Sequence, residues 1–249
     1  MATLTFYPNA DGDAGATTTD GFVAKTLTSG WVWATGHDAT AGTSVDYTST
    51  AQRIAWISTH ASTDTYYTRF YRGIFGFDTS SISSGATITS ATLSLRGSNK
   101  TVTNFTSSEA GWDLVINNCT APDSATVLAS ADYNNLGTTV LGSVTYANWS
   151  TTAYNDITLS TSSVTKAGIT WLGTRFRYDS TNTPPTFVLG ANIEIQARYA
   201  DYADTTSDPK LVVVYTATSI KTINDLAIAS VKTVNDLAIA SMKTWGDLA

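Results

Sequence analysis

The chain has 249 residues, of which 42% are apolar and 14% charged, with a formal net charge of −6. No run of Lys or Arg occurs, which leaves no clustered-cation surface for nucleic acid, and no stretch approaches the roughly 20 apolar residues of a membrane span. Cys119 is the only cysteine, which excludes an intramolecular disulfide and leaves a buried free thiol as the favoured expectation.

Abundant Ser and Thr, 11% aromatics and few charges favour strands over long exposed helices. In chain order, alternation predicts strands at Thr3 to Tyr7, Gly30 to Ala34 and Arg53 to Thr59, divided by Gly, Asp, Ser and Thr clusters. Tyr66 to Phe77 reads as one long strand. Its Tyr67, Arg69, Tyr71, Gly73, Phe75 and Phe77 share one face, and Tyr66, Thr68, Phe70, Arg72, Ile74 and Gly76 the other. Both faces carry large apolar groups, as in a central strand. Further strands are expected at Ile88 to Arg96, Trp112 to Ile116, Thr138 to Ser143, Ile157 to Leu159, Phe187 to Leu189, Ile193 to Arg198 and Leu211 to Thr216. Short helical turns are expected at Ala125 to Asp132 and Thr161 to Ala167. Roughly ten strands at this spacing suit an all-β, two-sheet sandwich or jelly roll.

The segment Tyr71-Arg-Gly-Ile-Phe-Gly-Phe-Asp-Thr-Ser-Ser-Ile-Ser-Ser-Gly-Ala-Thr-Ile-Thr-Ser-Ala-Thr-Leu-Ser-Leu95 resembles the DNRLRE-type domain, a carbohydrate-binding-module-like jelly roll. In that pattern a strand ending Phe-x-Phe-Asp leads through a polar turn to Ser-Ala-Thr-Leu-x-Leu. Asn155-Asp-Ile-Thr-Leu is similar to the family's Asp-Val-Thr strand, and Ile193-Glu-Ile-Gln-Ala-Arg with Asp208-Pro-Lys-Leu-Val-Val-Val-Tyr215 to its closing strand pair. The resemblance covers residues from about 66 to 216 and implies a fold more than an activity. Phe75, Phe77, Ala91, Leu93 and Leu95 keep period two, so they are expected to pack a core.

Residues 1–217 therefore read as the sandwich and 218–249 as a separate tail. Ser219-Ile-Lys-Thr-Ile-Asn-Asp-Leu-Ala-Ile-Ala229 is followed by Ser230-Val-Lys-Thr-Val-Asn-Asp-Leu-Ala-Ile-Ala240, and Ser241-Met-Lys-Thr-Trp-Gly-Asp-Leu-Ala249 stops short, a period of 11 residues. An 11-residue period fits a helix at 3.67 residues per turn, but Thr222, Asn224 and Asp225 are poor helix formers. Strand-and-turn units are favoured, with Leu226 to Val234 as an extended segment ended by Asn235-Asp236. One such unit cannot cover its own apolar face, so copies must stack. The expected oligomerisation or attachment residues are Ile220, Ile223, Leu226 and Ile228, their counterparts Val231, Val234, Leu237 and Ile239, and Met242, Trp245 and Leu248. The tail resembles the Lys-Thr-x-Asn-Gly-Leu-Ala tandem tails of tailed-bacteriophage structural proteins, with Asn-Asp here in place of Asn-Gly.

No catalytic constellation stands out: there is no His-x-x-x-His, no Cys-x-x-Cys, no nucleophile elbow and no phosphate loop. Asn9, Asp11 and Asp13 form the best calcium candidate, since oxygen side chains alternating around Gly suit a hard cation; a plain Asp/Gly turn is the favoured alternative. Asp201, Asp204 and Asp208 form a second acidic loop with the same two readings. Trp31 and Trp33, extended by Trp56, Tyr66 and Tyr67, would make an exposed platform for sugar rings, although core or interface packing is favoured. No cofactor is expected apart from that structural calcium.

These readings converge on a non-enzymatic virion structural protein, a capsid decoration, head fibre or tail appendage. Its expected partners are itself, as a homo-oligomer such as a trimer, other virion proteins and surface glycans. Neither nucleic acid nor membrane is expected. With neither a basic n-region nor an apolar h-region at the start, synthesis in the host cytoplasm and a final location in the virion are expected. The alternatives are a carbohydrate-binding module for adhesion and a subunit of a cellular extracellular filament or surface layer.

Overall fold

A computed structural model describes residues 1–62, 65–203 and 205–217, with only the backbone at 27–31, together with four two-residue backbone segments of the tail. The body carries strands β1 (Ala2–Phe6), β2 (Asp20–Trp31), β3 (Ser44–Asp46), β4 (Ala51–Thr59), β5 (Tyr67–Asp78), β6 (Thr87–Thr103) and β7 (Leu114–Cys119). They are followed by β8 (Leu136–Val144), β9 (Tyr154–Leu159), β10 (Ile169–Phe176), β11 (Asn192–Arg198) and β12 (Lys210–Thr216). The α-helices among the described residues are single turns, α1 (Trp33–His37) and α2 (Arg177–Ser180). No described helix is long and apolar enough to cross a membrane.

All twelve strands join one curled antiparallel sheet, in the order β1, β12, β6, β11, β4, β5, β10, β7 and β8. Off that path, β2 lies along β5, β3 along β2, and β9 along β6. Two long strands produce the curl by changing partners midway. The first half of β6 pairs with β12 and β9, while Gly97 to Thr103 pairs with β11. Likewise Tyr67 to Arg72 of β5 pairs with β4, and Gly73 to Asp78 with β10, while β2 runs beside both halves. Gly97 sits at the change of partner, opposite a register shift in β11, and a Cβ there would overlap the Ser150 carbonyl. Only glycine permits that approach.

The curl encloses one apolar core. Phe75, Phe77, Ala91, Leu93 and Leu95 are fully buried, as their period-two spacing predicts. Trp112 lies at the centre of an aromatic cluster, with ring centroids at 4.5 Å from Phe105, 4.8 Å from Tyr178 and 5.6 Å from Phe176. Such tilted and edge-on pairs add to area burial.

Several local expectations change. Gly30 to Ala34 is not one strand: the chain leaves β2 at Trp31 and turns into α1 at Trp33. Phe187 to Leu189 is not a strand either, because Pro184 and Pro185 just before it carry no N–H for a ladder. The helical turns are 3-10 turns at Ser130–Asn134 and Thr161–Ser163. In the tail, Thr222 pairs with Ala227 and Ile223 with Leu226; eleven residues on, Thr233 pairs with Ala238 and Val234 with Leu237.

Candidate functional site

The aromatic candidates do not assemble into one exposed face. Trp33 is only 7% exposed, wedged edge-on between Tyr67 and Phe70 at 5.1 Å from each, and its indole N–H donates to Asn182 Oδ1 at 2.9 Å. The cause is local: helix α1 packs Trp33 against β5. Tyr67 is buried too, with its hydroxyl donating to the Pro185 carbonyl at 3.1 Å. Burial pushes that phenol up to about 12. Tyr66 is half-buried. Trp56 is also half-buried, but its ring lies between the Arg53 and Arg69 guanidiniums, 4.2 and 4.4 Å from the centroid. Its indole N–H donates to Asn192 Oδ1. Trp31 pairs through its backbone with Tyr67, and its side chain lies outside the described residues.

The two acidic loops, far apart in sequence, meet in space. The Asp11 amide donates to Asp201 Oδ1 at 2.8 Å, and Asn9, Asp13, Asp78, Asp201 and Asp208 line a cleft of about 630 Å³. The side chains of Asn9 and Asp13 nevertheless serve the loop itself. Asn9 Oδ1 accepts from the Thr17 and Thr18 amides at 2.9 and 3.2 Å, and Asp13 Oδ2 from the Ala10 amide at 3.1 Å. Among the described residues no three His, Cys, Asp or Glu side chains stand close enough to hold a metal ion; Asp204 lies outside the described residues. The cleft is electrostatically uneven. Hydrogen bonds from Ser80 hold the Asp78 carboxyl below its ordinary value, whereas burial pushes Asp201 up. Behind the cleft, Asp20 is fully buried and accepts from the Ala200 amide at 3.1 Å. Burial first, then Asp201 and Asp208, push its carboxyl well up.

A third group of polar side chains was not singled out by sequence. Arg72, on the inward face of β5, is 2% exposed. Its Nε donates to Asp179 Oδ2 at 2.8 Å, Nη2 to Asp179 Oδ1 at 2.7 Å and to the His37 carbonyl at 2.9 Å, and Nη1 to the Tyr133 carbonyl at 2.9 Å. His37 hydrogen-bonds Asp38 through Nδ1 and the Asp179 carbonyl through Nε2, the latter at 2.8 Å. A signal existed: Arg72 falls on the same strand face as Phe70 and Ile74, and a cation on an apolar face calls for a buried partner. The partner, 107 residues away, carries no local signature.

Cys119 is half-buried, and burial pushes its thiol up to about 12. Since the thiolate is the reactive form and its higher basicity only partly compensates through greater nucleophilicity, its reaction with a disulfide reagent at pH 8 is expected to be more than about tenfold slower than that of an ordinary thiol. Denaturant should restore the normal rate, and a native rate within tenfold of a free cysteine would contradict this.

Of the tail residues, the backbones of Ile223, Leu226, Val234 and Leu237 lie in the two short ladders. Ile220, Ile228, Val231, Ile239, Met242, Trp245 and Leu248 lie outside the described residues, as does most of the segment Leu226 to Val234. No protein-family model matches the chain, and no curated protein matches it.

Proposed function

We propose that the chain is a non-enzymatic structural protein of a virion, a β-sandwich body displayed on a particle and assembled through its C-terminal repeats. The observation that carries this reading is the recurrence of one backbone unit at the spacing of the sequence repeat: Thr222 and Ile223 against Ala227 and Leu226, then Thr233 and Val234 against Ala238 and Leu237. In both units the two intervening residues are Asn-Asp, a pair suited to a tight turn. A two-stranded ladder of this length is marginal alone in water and becomes stable when further units cover its apolar side chains. Each copy carries one Lys and one Asp, so stacked copies balance charge.

The curled sheet is read as a two-sheet jelly roll, in keeping with the resemblance of Tyr71 to Leu95 to DNRLRE-type domains, with β6 shared between the sheets. The partners are further copies of the chain and other virion proteins. Adhesion through the aromatic platform is not favoured, because Trp33 and Tyr67 are buried and Trp56 already stacks on two guanidiniums. Fusing residues 219–249 to a monomeric carrier should raise the carrier's mass in light scattering to a defined multiple. A carrier that stays monomeric contradicts the reading.

A further inference from the structure

Between α1, β8 and α2 the body holds a cavity of about 440 Å³, within the size range of small-molecule sites. Its walls include His37, Asp38, Arg72, Thr138, Arg175 and Asn182. The wall cations do not all have a carboxylate of their own. Arg72 is neutralised by Asp179 at 2.7 Å, and His37 pairs with Asp38. Arg175 has no carboxylate within salt-bridge distance among the described residues, although it is only 3% exposed. Its Nε donates to Asn117 Oδ1 at 3.2 Å and its Nη2 to the Gly137 carbonyl at 2.6 Å. Among the described residues its Nη1 has no hydrogen-bond partner. Burial pushes Arg175 below its ordinary value, and the nearby Arg72 adds to that, against the pull of Asp179.

A buried guanidinium without a counter-ion is costly unless something anionic meets it. The one wall guanidinium with no carboxylate at salt-bridge distance among the described residues matches a single carboxylate. A planar carboxylate fits the guanidinium fork, whereas a dianion would also face the carboxyl of Asp38. The remaining walls carry hydroxyl and amide groups from Asn134, Thr138, Ser180, Thr181 and Asn182, which suit a ligand with hydroxyls of its own. We infer that this cavity binds a small hydroxylated carboxylic acid, its carboxylate held by Arg175.

Calorimetric titration of the full chain at constant ionic strength tests the inference, with glycerate as the probe and glycerol and inorganic phosphate as comparisons. Glycerate should bind saturably at one site per chain, at least about tenfold more tightly than glycerol, as a charge-assisted contact requires. Thr138 is an exposed residue at the cavity wall, so Thr138→Glu should leave the chain folded, as circular dichroism would show. Glycerate binding should weaken about tenfold or more by like-charge repulsion. Arg175→Gln should abolish binding where circular dichroism shows the variant folded, and Thr138→Glu decides the matter where it is not. Absent or non-saturable glycerate binding, equal binding of glycerol, or binding indifferent to Thr138→Glu would overturn the site. Tighter binding of phosphate than of glycerate would overturn the carboxylate assignment.

Discussion

Arg72→Met is expected to lower the unfolding free energy by about 3–5 kcal/mol, the usual cost of leaving one partner of a buried ion pair alone. Both side chains are almost fully excluded from solvent, at 2% and 3% exposure, so water cannot rescue the orphaned carboxylate. Burial by itself pushes Asp179 up. Arg72 outweighs that, with help from Arg175 and His37, and holds the carboxyl below its ordinary value. The sign of the pH dependence follows. The folded-state carboxyl titrates below its unfolded value, so the contribution of Asp179 is present above about pH 4 and lost as pH falls through the folded value. Asp20 acts oppositely: its raised carboxyl contributes stability at low pH, which is lost as pH rises through the folded value. In Arg72→Met the unpaired Asp179 can relieve its burial by taking up a proton. The penalty should therefore shrink on acidification from pH 7 towards pH 4.

Arg72→Met with Asp179→Leu should cost less than Arg72→Met alone, because the double change leaves no buried charge from this pair. Urea unfolding at pH 7 and pH 4 measures the wild type, both single variants and the double variant. A single-variant cost below about 1 kcal/mol, or a double variant whose cost equals the sum of the singles, would contradict a coupled buried pair.

Much of the fold is legible where one sheet face is buried and the other wet. β6, β11 and β12 sit near the positions that alternation gives them, because a half-buried strand writes its burial into the sequence with period two. β10 escaped because nearly all of Ile169-Thr-Trp-Leu-Gly-Thr-Arg-Phe176 is buried, so there is no alternation to detect. β2 lies in a stretch where Gly30-Trp-Val-Trp drew the strand too far towards the C-terminus, and the single-turn helix α1 follows an extended Val32 with no capping side chain. The meeting of the Asn9 and Asp201 loops was visible only as two acidic turns. Their contact depends on strands β1 and β12 pairing edge to edge, and no local pattern encodes that pairing. The Arg175 cavity was illegible for a related reason: its walls come from α1, β5, β8, β10 and α2, which no local pattern brings together.

The tail is the reverse case, in which sequence says more than local geometry. The Ile-for-Val exchanges at 220/231 and 223/234 preserve shape and apolarity, which suits the proposed stacking of like on like. Two-residue ladders bury too little to hold themselves, so the tail is expected to gain its stability from other copies, while the body folds on its own core. Deleting residues 219–249 separates the two. Light scattering should find the full chain as a defined oligomer and the truncated chain as a monomer, with the melting temperature and far-ultraviolet circular dichroism of the body retained. A truncated chain that keeps the oligomeric mass, or a full chain that is itself monomeric, would contradict assembly through the repeats.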